Sequence, residues 1–346
     1  MLKKVLYKQI VFLLIQPFVF LWLVGCASSA NLLFRQTDAI TPMLSELKDD
    51  LPILKLRETI TDPRVLTYLE YYNLDIDVVD HFFGYLNINK TDIAVHVFIP
   101  PSPIGTVITA HGYVDHVGGW KNAIRSFSDA SYAVIAFDFP GHGLSGGEDA
   151  DIKNFSEYQA VFATMVEFTE YWLPSPLHFV GHSMGAGIMA EYLLIHGKDA
   201  ERRVVLIAPN IRSSFWWASQ VGAAIIQPFT VSIATPFRLT SHDRIFIEFR
   251  DYLDPLQRQY IPTRWFEELV DWTHRMVAYK SSNVSLRVIQ GDSDSVTAWR
   301  YNARFLKAKF PNTDFIRIYQ GRHHLINESI DVRERIFGLV EDYLGS

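Results

Sequence analysis

The stretch LHFVGHSMGAGIMAEYLL, residues 177–194, joins two kinds of sequence pattern. Its first residues are apolar and suit a short buried strand, whereas its last residues are small and aliphatic at helical spacing. GHSMG lies between them, with Ser183 at its centre. A sharp strand-to-helix turn would lift the serine hydroxyl out of a sheet, and its strained backbone needs small neighbours such as Gly181 and Gly185. The pentapeptide also suits an ordinary turn with a capping serine, and other segments must distinguish the two interpretations.

The composition favours one large domain. The chain has 346 residues, of which 49% are hydrophobic and 14% aromatic, and its formal net charge is -6. This length is enough for an α/β domain with an elaboration and a sizeable core. The mild acidity does not provide the basic surface that nucleic-acid binding requires, so we predict no nucleic-acid partner.

The N-terminus has the pattern of an export signal. MLKKVLYK is basic, and a nearly continuous apolar run follows from Ile10 to Cys26. A membrane-spanning helix needs about 20 apolar residues, which makes this run short for a span. We therefore predict a signal peptide over residues 1–25. An uncleaved anchor helix and ordinary secretion with cleavage near Ala30 are the alternatives.

The end of this run, LVGC followed by Ala27, resembles the lipobox of bacterial lipoproteins. The resemblance implies that Cys26 is lipidated and becomes the new N-terminus, so that the protein is anchored to a membrane of the cell envelope. Ala27 implies the outer membrane if the cell has one. Cys26 is also the only cysteine, which excludes an intramolecular disulfide and a cysteine-based zinc site.

Beyond the N-terminus, apolar runs alternate with segments of helical spacing. Residues 26–59 look like a polar tether, and a helix is predicted within residues 60–80. Seven β-type runs follow, at residues 93–99, 106–110, 133–137, 177–181, 203–207, 286–290 and 315–319. FSEYQAVFATMVEFTEYW, between the third and fourth runs, predicts a helix with a capping box of Ser156 and Gln159. The alternation predicts an α/β fold whose mostly parallel sheet carries helices on both faces.

Nearly eighty residues separate the fifth and sixth runs, where one crossover helix would suffice. A structureless loop of that length would be unusual. We predict a helical cap over residues 209–285, inserted over the carboxyl edge of a core formed by residues 60–208 and 286–346. The cap segment carries four of the eight tryptophans, which are Trp216, Trp217, Trp265 and Trp272. A peripheral subdomain that only packs on the core is the alternative.

Polar residues follow the last two β-type runs. GDSD places Asp292 and Asp294 after the sixth run, and GRHHLINE places His323 and His324 after the seventh. A nucleophilic serine needs a base and an orienting acid, and the carboxyl edge of a parallel sheet brings such groups together. Both acids and both histidines therefore lie on the same predicted edge as Ser183.

Acyl chemistry at a serine also needs backbone N–H donors for the oxyanion. The second β-type run leads into HGYVDH, where Gly112 allows close approach and the Tyr113 N–H can face the serine. The helix after the serine points its free N–H groups to the same place. No H-E-x-x-H or paired ligand spacing occurs, so we predict neither a metal nor a cofactor.

Five motifs in order, HGYVDH, FPGHGLSGG, GHSMG, GDSD and GRHHLINE, resemble the α/β-hydrolase superfamily. More narrowly, they resemble its monoacylglycerol lipase and lysophospholipase branch. The resemblance covers residues 60–344. It implies that Ser183 is the nucleophile, Asp294 the acid and His323 the base.

The resemblance also decides which aspartate is the acid and which histidine is the base. G-x-x-D counted from Gly291 selects the second aspartate, and R-H-x-L-x-N-E after Arg322 selects the first histidine. His324 departs from the branch, which often has a carboxylate at this position. The implied oxyanion donors are the backbone N–H groups of Tyr113 and Met184.

The sequence thus predicts a serine ester hydrolase that acts through an acyl-enzyme on single-chain lipid esters, either lysophospholipid or monoacylglycerol. A general carboxylesterase, a thioesterase and an acyltransferase of the same fold are the alternatives. An envelope lipoprotein that only binds a ligand is disfavoured, because no member of the triad is missing. His182, beside the nucleophile, is interpreted as a packing residue rather than a second base.

Overall fold

The computed structural model describes residues 30–197, 202–217, 220, 230–235 and 238–346. The predicted signal peptide (residues 1–25) and the predicted lipidation site Cys26 lie outside the described residues. Among the helices of the described segments, none combines the length and the apolar character that a bilayer crossing requires.

An eight-stranded sheet forms the centre of the domain. The strands of the chain are β1 (Asp80–Ile88), β2 (Thr91–Ile99), β3 (Gly105–Ala110), β4 (Tyr132–Phe137), β5 (Leu177–His182), β6 (Val204–Ile207), β7 (Ser232–Ala234), β8 (Tyr260–Pro262), β9 (Leu286–Gly291) and β10 (Thr313–Ile318). The large sheet has the order β1-β2-β4-β3-β5-β6-β9-β10. The pairs β1–β2 and β2–β4 are antiparallel, and all its other pairs are parallel. The predicted α/β class with a mostly parallel sheet is confirmed.

The central strands are buried on both faces. Every residue of β3, β4 and β5 is buried, and neighbours such as Phe179 and Val180 enter the cores on opposite sides of the sheet. Such strands have continuous apolar sequences, which is why they could be predicted. The edge strand β1 has no counterpart among the predicted runs, because exposed residues interrupt its sequence DHFFGYLNI.

Helices cover both faces of the sheet, as the alternation predicts. The core on one face includes residues of α1 (Ala30–Asp49), α2 (Pro63–Tyr72), α3 (Lys121–Asp129) and α9 (Ile330–Leu344). The core on the other face includes residues of α4 (Ser156–Trp172), α5 (Met184–His196), α7 (Thr263–Ala278) and α8 (Trp299–Lys309).

Helix α1 corrects the predicted tether. Residues 26–59 look polar in the sequence, but Ile40, Leu44 and Leu47 recur at helical spacing and are buried. They belong to the same core as α2 and α9. A one-sided apolar stripe is enough to dock a helix whose overall composition is polar. The described part of this segment is therefore largely a helix packed on the domain.

The start of α4 also differs from the prediction. The helix begins at Ser156, but its N-terminus carries no capping bond from that side chain. Instead, Oδ1 of Asn154 accepts the N–H of Ser156 at 2.8 Å. The predicted capping box of Ser156 and Gln159 is therefore wrong, since an asparagine two residues earlier supplies the acceptor.

The described part of the predicted cap segment contains both helix and sheet. α6 (Arg244–Glu248) continues into a π-helix (Phe249–Leu253), and α7 is the longest helix described there. β7 and β8 form a small antiparallel pair within the same segment. Strands of three residues have too little periodicity to be recognised in a sequence.

Candidate active site

Ser183 stands in a strained turn between β5 and α5. Its φ of 53° and ψ of −115° are rare for a residue with a side chain. Its N–H donates to the carbonyl of Ile207 at 3.0 Å, which fixes the turn on the sheet. A Cβ at Gly181 would lie 2.9 Å from the backbone nitrogen of Ala186, and one at Gly185 would overlap the backbone after β3. Only glycine therefore fits on either side of this turn.

A chain of hydrogen bonds links Ser183 to His323 and Asp294. Nε2 of His323 lies 3.0 Å from Oγ of Ser183, and Nδ1 lies 2.9 Å from Oδ2 of Asp294. All three residues are buried. With the proton of the ring on Nδ1, where the carboxylate accepts it, Nε2 presents its lone pair to the serine hydroxyl. The structure thus brings together the three side chains that the motifs select.

The two candidate acids after β9 have different surroundings. Asp294 accepts both the N–H and the hydroxyl of Thr297, at 3.0 and 2.8 Å. Burial alone would raise the pKa of Asp294, but the interaction with His323 and the hydrogen bonds of Thr297 lower it to about 2. Asp292 instead accepts the backbone N–H of Gln320 at 2.7 Å. The carboxylate that reaches the imidazole is therefore the second aspartate.

The histidines beside the triad also have distinct contacts. The ring of His324 lies 5.1 Å from that of His182, and it is His323 that contacts the serine. Nε2 of His182 lies 3.0 Å from the carbonyl oxygen of His323, so it donates there and holds the base loop against the nucleophile. Burial lowers the pKa of His182 to about 3, which keeps its ring neutral. This contact is more specific than the packing role that the sequence predicts.

The loop HGYVDH after β3 is braced by buried polar groups. Nδ1 of His111 lies 2.7 Å from the carbonyl oxygen of Gly112, and its Nε2 accepts the N–H of Phe139 at 2.9 Å. Oδ1 of Asp138 accepts the N–H of Val117 at 2.8 Å. These bonds tie the loop after β3 to the loop after β4 and fix its backbone.

The two predicted oxyanion donors border the nucleophile. A Cβ at Gly112 would lie 3.1 Å from Cβ of Ser183, which shows how closely the two backbones approach. Tyr113 follows Gly112 directly, and Met184 is the first residue of α5. The first N–H groups of a helix have no acceptor within it, so that of Met184 is available beside the reacting hydroxyl.

A buried ion pair joins this loop to the inserted segment, which is the predicted cap segment between β6 and β9 (residues 209–285). Nε2 of His116 lies 2.8 Å from Oδ2 of Asp254, and the hydroxyl of Tyr72 donates to Oδ1 at 2.7 Å. Burial would lower the pKa of His116, but Asp254 outweighs it and raises that pKa to about 9. Three distant parts of the chain meet here. The sequence analysis misses Asp254, because no local pattern links it to a histidine 138 residues away.

Aromatic residues of α7 cover the loop after β3. The ring of Trp265 stacks on Tyr113 with centroids 3.5 Å apart and planes at 15°. Trp272 stacks on Phe155 at 5.2 Å, and its indole N–H donates to the buried carboxylate of Glu191 at 2.8 Å. Two of the four tryptophans therefore fasten the inserted segment to the core beside the nucleophile.

This arrangement suits acyl transfer at a serine. A serine hydroxyl becomes a useful nucleophile when a neutral imidazole can accept its proton. The buried carboxylate orients that imidazole and stabilises the imidazolium that forms. A developing negative oxygen also needs hydrogen-bond donors, a role that the sequence predicts for the backbone amides of Tyr113 and Met184.

The family model described as serine aminopeptidase, S33 (Hydrolase_4) matches residues 101–330, which include Ser183, Asp294 and His323. The chain belongs to this family. It is a serine hydrolase with the α/β-hydrolase fold, and it resembles the monoacylglycerol lipases of that superfamily.

Two relatives show the extent of this resemblance. The monoacylglycerol lipase of Mycolicibacterium smegmatis is 35% identical over 115 residues, which are 33% of this chain and 40% of that protein. The match thus spans less than half of that relative. The monoglyceride lipase homolog of Monkeypox virus is 23% identical over 249 residues, covering 70% of this chain and 90% of that protein.

Solved structures share the fold at low sequence identity. A soluble variant of monoglyceride lipase from Saccharomyces cerevisiae, in complex with a substrate analog, superposes with a TM-score of 0.66 at 16% identity. The superposition covers 78% of this chain and 96% of the yeast chain. The monoacylglycerol lipase of Paleococcus ferrophilus gives a TM-score of 0.62 at 19% identity, covering 73% and 98%.

Proposed function

We propose that this serine hydrolase cleaves esters of single-chain lipids, monoacylglycerol or lysophospholipid, through an acyl-enzyme on Ser183. The observation that carries the proposal is the buried hydrogen-bonded chain from Ser183 through His323 to Asp294. It lies at the sheet edge where Trp265 of α7 stacks on Tyr113 in the loop after β3.

In the proposed reaction, Oγ of Ser183 attacks the ester carbonyl while Nε2 of His323 takes its proton. Asp294 keeps the remaining ring proton on Nδ1 and stabilises the imidazolium. The oxyanion accepts hydrogen bonds from the amides of Tyr113 and Met184. The imidazolium then protonates the departing alcohol. Water, deprotonated by the same imidazole, releases the fatty acid and regenerates the serine.

Three features support a lipid substrate. Relatives named monoacylglycerol lipase or monoglyceride lipase share the fold and part of the sequence. The inserted segment exposes large apolar side chains to solvent, including Phe215, Trp217, Val231, Leu239, Ile245 and Tyr252. Exposed apolar groups concentrated in one segment are typical of a surface that meets apolar ligands or lipid. Each buried acyl CH₂ contributes about 0.8 kcal/mol, so a longer chain gains several kcal/mol of binding.

The acyl-length profile tests the substrate class. kcat/KM is measured on monomeric glycerol and lysophospholipid esters with two to sixteen carbons. We expect kcat/KM to rise through eight to twelve carbons. A maximum at two to four carbons, with no hydrolysis of long single-chain esters, would leave a general carboxylesterase. Faster turnover of thioesters, or acyl transfer to an added alcohol in preference to water, would point to the thioesterase or acyltransferase alternative.

We further propose that the mature protein is anchored in the cell envelope through lipidated Cys26, in the outer membrane if the cell has one. The basic start, the apolar run and the ending LVGC support this placement. An anchored enzyme would work beside a lipid substrate. In cells, Cys26→Ser should abolish incorporation of labelled fatty acid and move the protein out of the lipoprotein fraction. Membrane retention of an uncleaved Cys26→Ser chain would favour the anchor helix instead.

A further inference from the structure

Two loops and the end of β5 bring Asp115, His182 and His324 together beside the triad. Asp115 lies in the loop after β3, His182 ends β5, and His324 follows β10. One ligand atom from each residue lies within 4.8 Å of the other two. A Cβ at Gly112 would lie 3.3 Å from Nδ1 of His182, which places this cluster directly beneath the loop after β3.

Each of the three side chains has one buried polar atom without a hydrogen-bond partner in the described residues: Oδ2 of Asp115, Nδ1 of His182 and Nδ1 of His324. The other polar atom of two of these side chains is already engaged. Oδ1 of Asp115 accepts the N–H of His116 at 2.9 Å, and Nε2 of His182 donates to the carbonyl of His323. Nδ1 of the neutral His182 ring therefore carries a lone pair, in a cluster that also holds the unpartnered carboxylate oxygen of Asp115. Two acceptors in such a position need a donor or a cation between them.

The local charges favour a cation. His116 and Arg250 are the cations whose fields reach Asp115, and each is already paired with another carboxylate. His116 pairs with Asp254 at 2.8 Å, and Arg250 pairs with Asp251 at 2.6 Å. Among the described residues, the buried carboxylate of Asp115 thus has no cationic partner of its own, and an uncompensated buried charge is costly.

We propose that Asp115, His182 and His324 bind one divalent transition-metal ion of the zinc type. Two imidazole nitrogens and one carboxylate oxygen are ligands that zinc accepts. Magnesium and calcium prefer sites made of oxygen atoms. Three protein ligands leave a fourth position for water or a small anion. No metal is predicted from the sequence, because these residues come from three separate parts of the chain and share no local spacing.

The ion clamps the loop after β3 to the nucleophile turn and to the base loop. Ligands about 2.1 Å from a tetrahedral zinc ion lie roughly 3.4 Å apart, so the side chains close by about 1 Å when they bind it. His182 and His324 each adjoin a member of the triad, Ser183 and His323 respectively. The ion therefore stabilises the backbone that carries the triad without itself touching the ester.

Zinc retention tests the site directly. The full chain carrying Cys26→Ser, so that its single thiol cannot take zinc, is purified without a polyhistidine tag and stripped with a chelator. It is then dialysed against zinc and again against metal-free buffer. Bound zinc is counted by atomic emission, and thermal unfolding is recorded with and without zinc. Asp115→Asn and His324→Gln remove ligands, whereas Asp292→Asn and His274→Gln are matched controls outside the cluster.

We expect one retained zinc ion per chain and a raised Tm in the parent protein and in both controls. Loss of a group that merely hydrogen-bonds to a ligand already weakens metal binding about 10–100-fold, so each ligand variant should lose at least about tenfold in zinc affinity and the rise in Tm. A parent that retains no zinc, because a water molecule or a shared proton fills the site, would overturn the proposal. Equal retention in all variants would overturn it too. If one ligand variant fails to fold, the other decides.

This result is independent of the proposed hydrolysis. Labelling of the same samples with a fluorophosphonate reports on Ser183, whereas zinc content reports on the cluster. Loss of zinc with intact labelling, or the reverse, therefore shows which of the two proposals has failed.

Discussion

Among single residues, the hydroxyl of Ser183 depends on partners that act as a unit. Nε2 of His323 lies 3.0 Å from Oγ of Ser183, where it would accept the proton of the hydroxyl, and we expect neither group to be effective alone. Ser183→Ala and His323→Ala should therefore each lower kcat by about 10⁴–10⁶-fold, and the double variant should be little worse. Steady-state hydrolysis of a soluble ester measures all three. Additive losses in the double variant would contradict the assignment of these residues to one unit.

The neighbouring aspartates provide a matched control for the acid. Asp294→Asn removes the acceptor that fixes the imidazole tautomer, and kcat should fall by something on the order of 10⁴. Asp292→Asn affects contacts away from the imidazole, with the backbone of Gln320, the hydroxyl of Ser293 and the guanidinium of Arg317. Its kcat should therefore remain near that of the parent. If the two effects were reversed, the acid would be Asp292.

The pH dependence of stability should contain a contribution from His142. This ring is buried and donates to the carbonyl of Pro140, and burial lowers its pKa from 6.5 to about 4. A histidine with a lowered folded pKa loses stability as pH falls below 6.5, because only the unfolded chain is then protonated. Between pH 7 and pH 5 the loss is about 2 kcal/mol.

Urea unfolding at both pH values checks this contribution. His142→Phe keeps a ring but cannot be protonated, so its stability should fall by about 2 kcal/mol less than that of the parent over this interval. The control variant His274→Gln, at an exposed position, should lose as much unfolding free energy as the parent over this interval. An identical pH slope in His142→Phe and the parent would show that His142 titrates alike in both states.

Much of the triad could be predicted from the sequence. The contacts that hold the loops of the triad in place could not. Glycines around Ser183, an acid after β9 and a histidine after β10 are local patterns, and each follows a recognisable strand. The pair of His116 and Asp254 unites positions 138 residues apart. Such a contact depends on how the inserted segment folds back over the sheet, which no short motif encodes.

For the elements, the turn between β5 and α5 has little steric tolerance. A Cβ at Gly185 would lie 2.6 Å from the carbonyl oxygen of His111, so Gly185→Ala must displace the backbone after β3. We expect Gly185→Ala to destabilise the fold by about 3 kcal/mol or more and to remove activity.

The glycine in α9 is the matched control. Apart from the backbone of its own helix and its chain neighbours, no atom of the described residues lies within 4 Å of a Cβ built at Gly338. This helical site should gain about 0.5–1 kcal/mol from Gly338→Ala. Denaturant unfolding of both variants measures the contrast. Similar small effects at the two positions would mean that the turn is not tightly packed.

Strands could be predicted from the sequence where both of their faces are buried. Continuous apolar runs reveal β3, β4 and β5, because both of their faces lie in a core. Helix α1 is harder to recognise, since its buried residues form only a narrow stripe in a polar sequence. β7 and β8 are too short to show any period.

For the whole molecule, the position of the inserted segment depends on a few buried contacts of α7. The indole N–H of Trp272 donates to Glu191 on α5, and both side chains are buried. Trp272→Phe keeps an aromatic ring but removes the donor. It should destabilise the protein by about 1–3 kcal/mol, because it leaves a buried carboxylate oxygen without this partner.

Trp217 is the matched tryptophan, because 72% of it is exposed. Trp217→Phe should leave the free energy of unfolding within about 0.5 kcal/mol of the parent. Chemical unfolding of the two variants provides the comparison. Equal stabilities would show that α7 is held by its apolar contacts alone.

The length of the insertion could be predicted, but its attachment could not. Residues 209–285 exceed what a crossover needs, which indicates an additional layer over the sheet. The stacking of Trp265 on Tyr113 joins residues that lie far apart in the sequence. Only the folded chain shows that the insertion is fastened directly above a predicted oxyanion donor.

Covalent labelling of Ser183 decides whether the assembled triad is an active nucleophile. The protein is reacted with a fluorophosphonate that carries a long alkyl chain, and peptide mass spectrometry locates the adduct. The geometry predicts one adduct, on the peptide that contains Ser183, which is lost in Ser183→Ala and forms far more slowly in His323→Ala. An unlabelled parent protein, or equal labelling of Ser183→Ala, would contradict the assignment of Ser183 as the nucleophile.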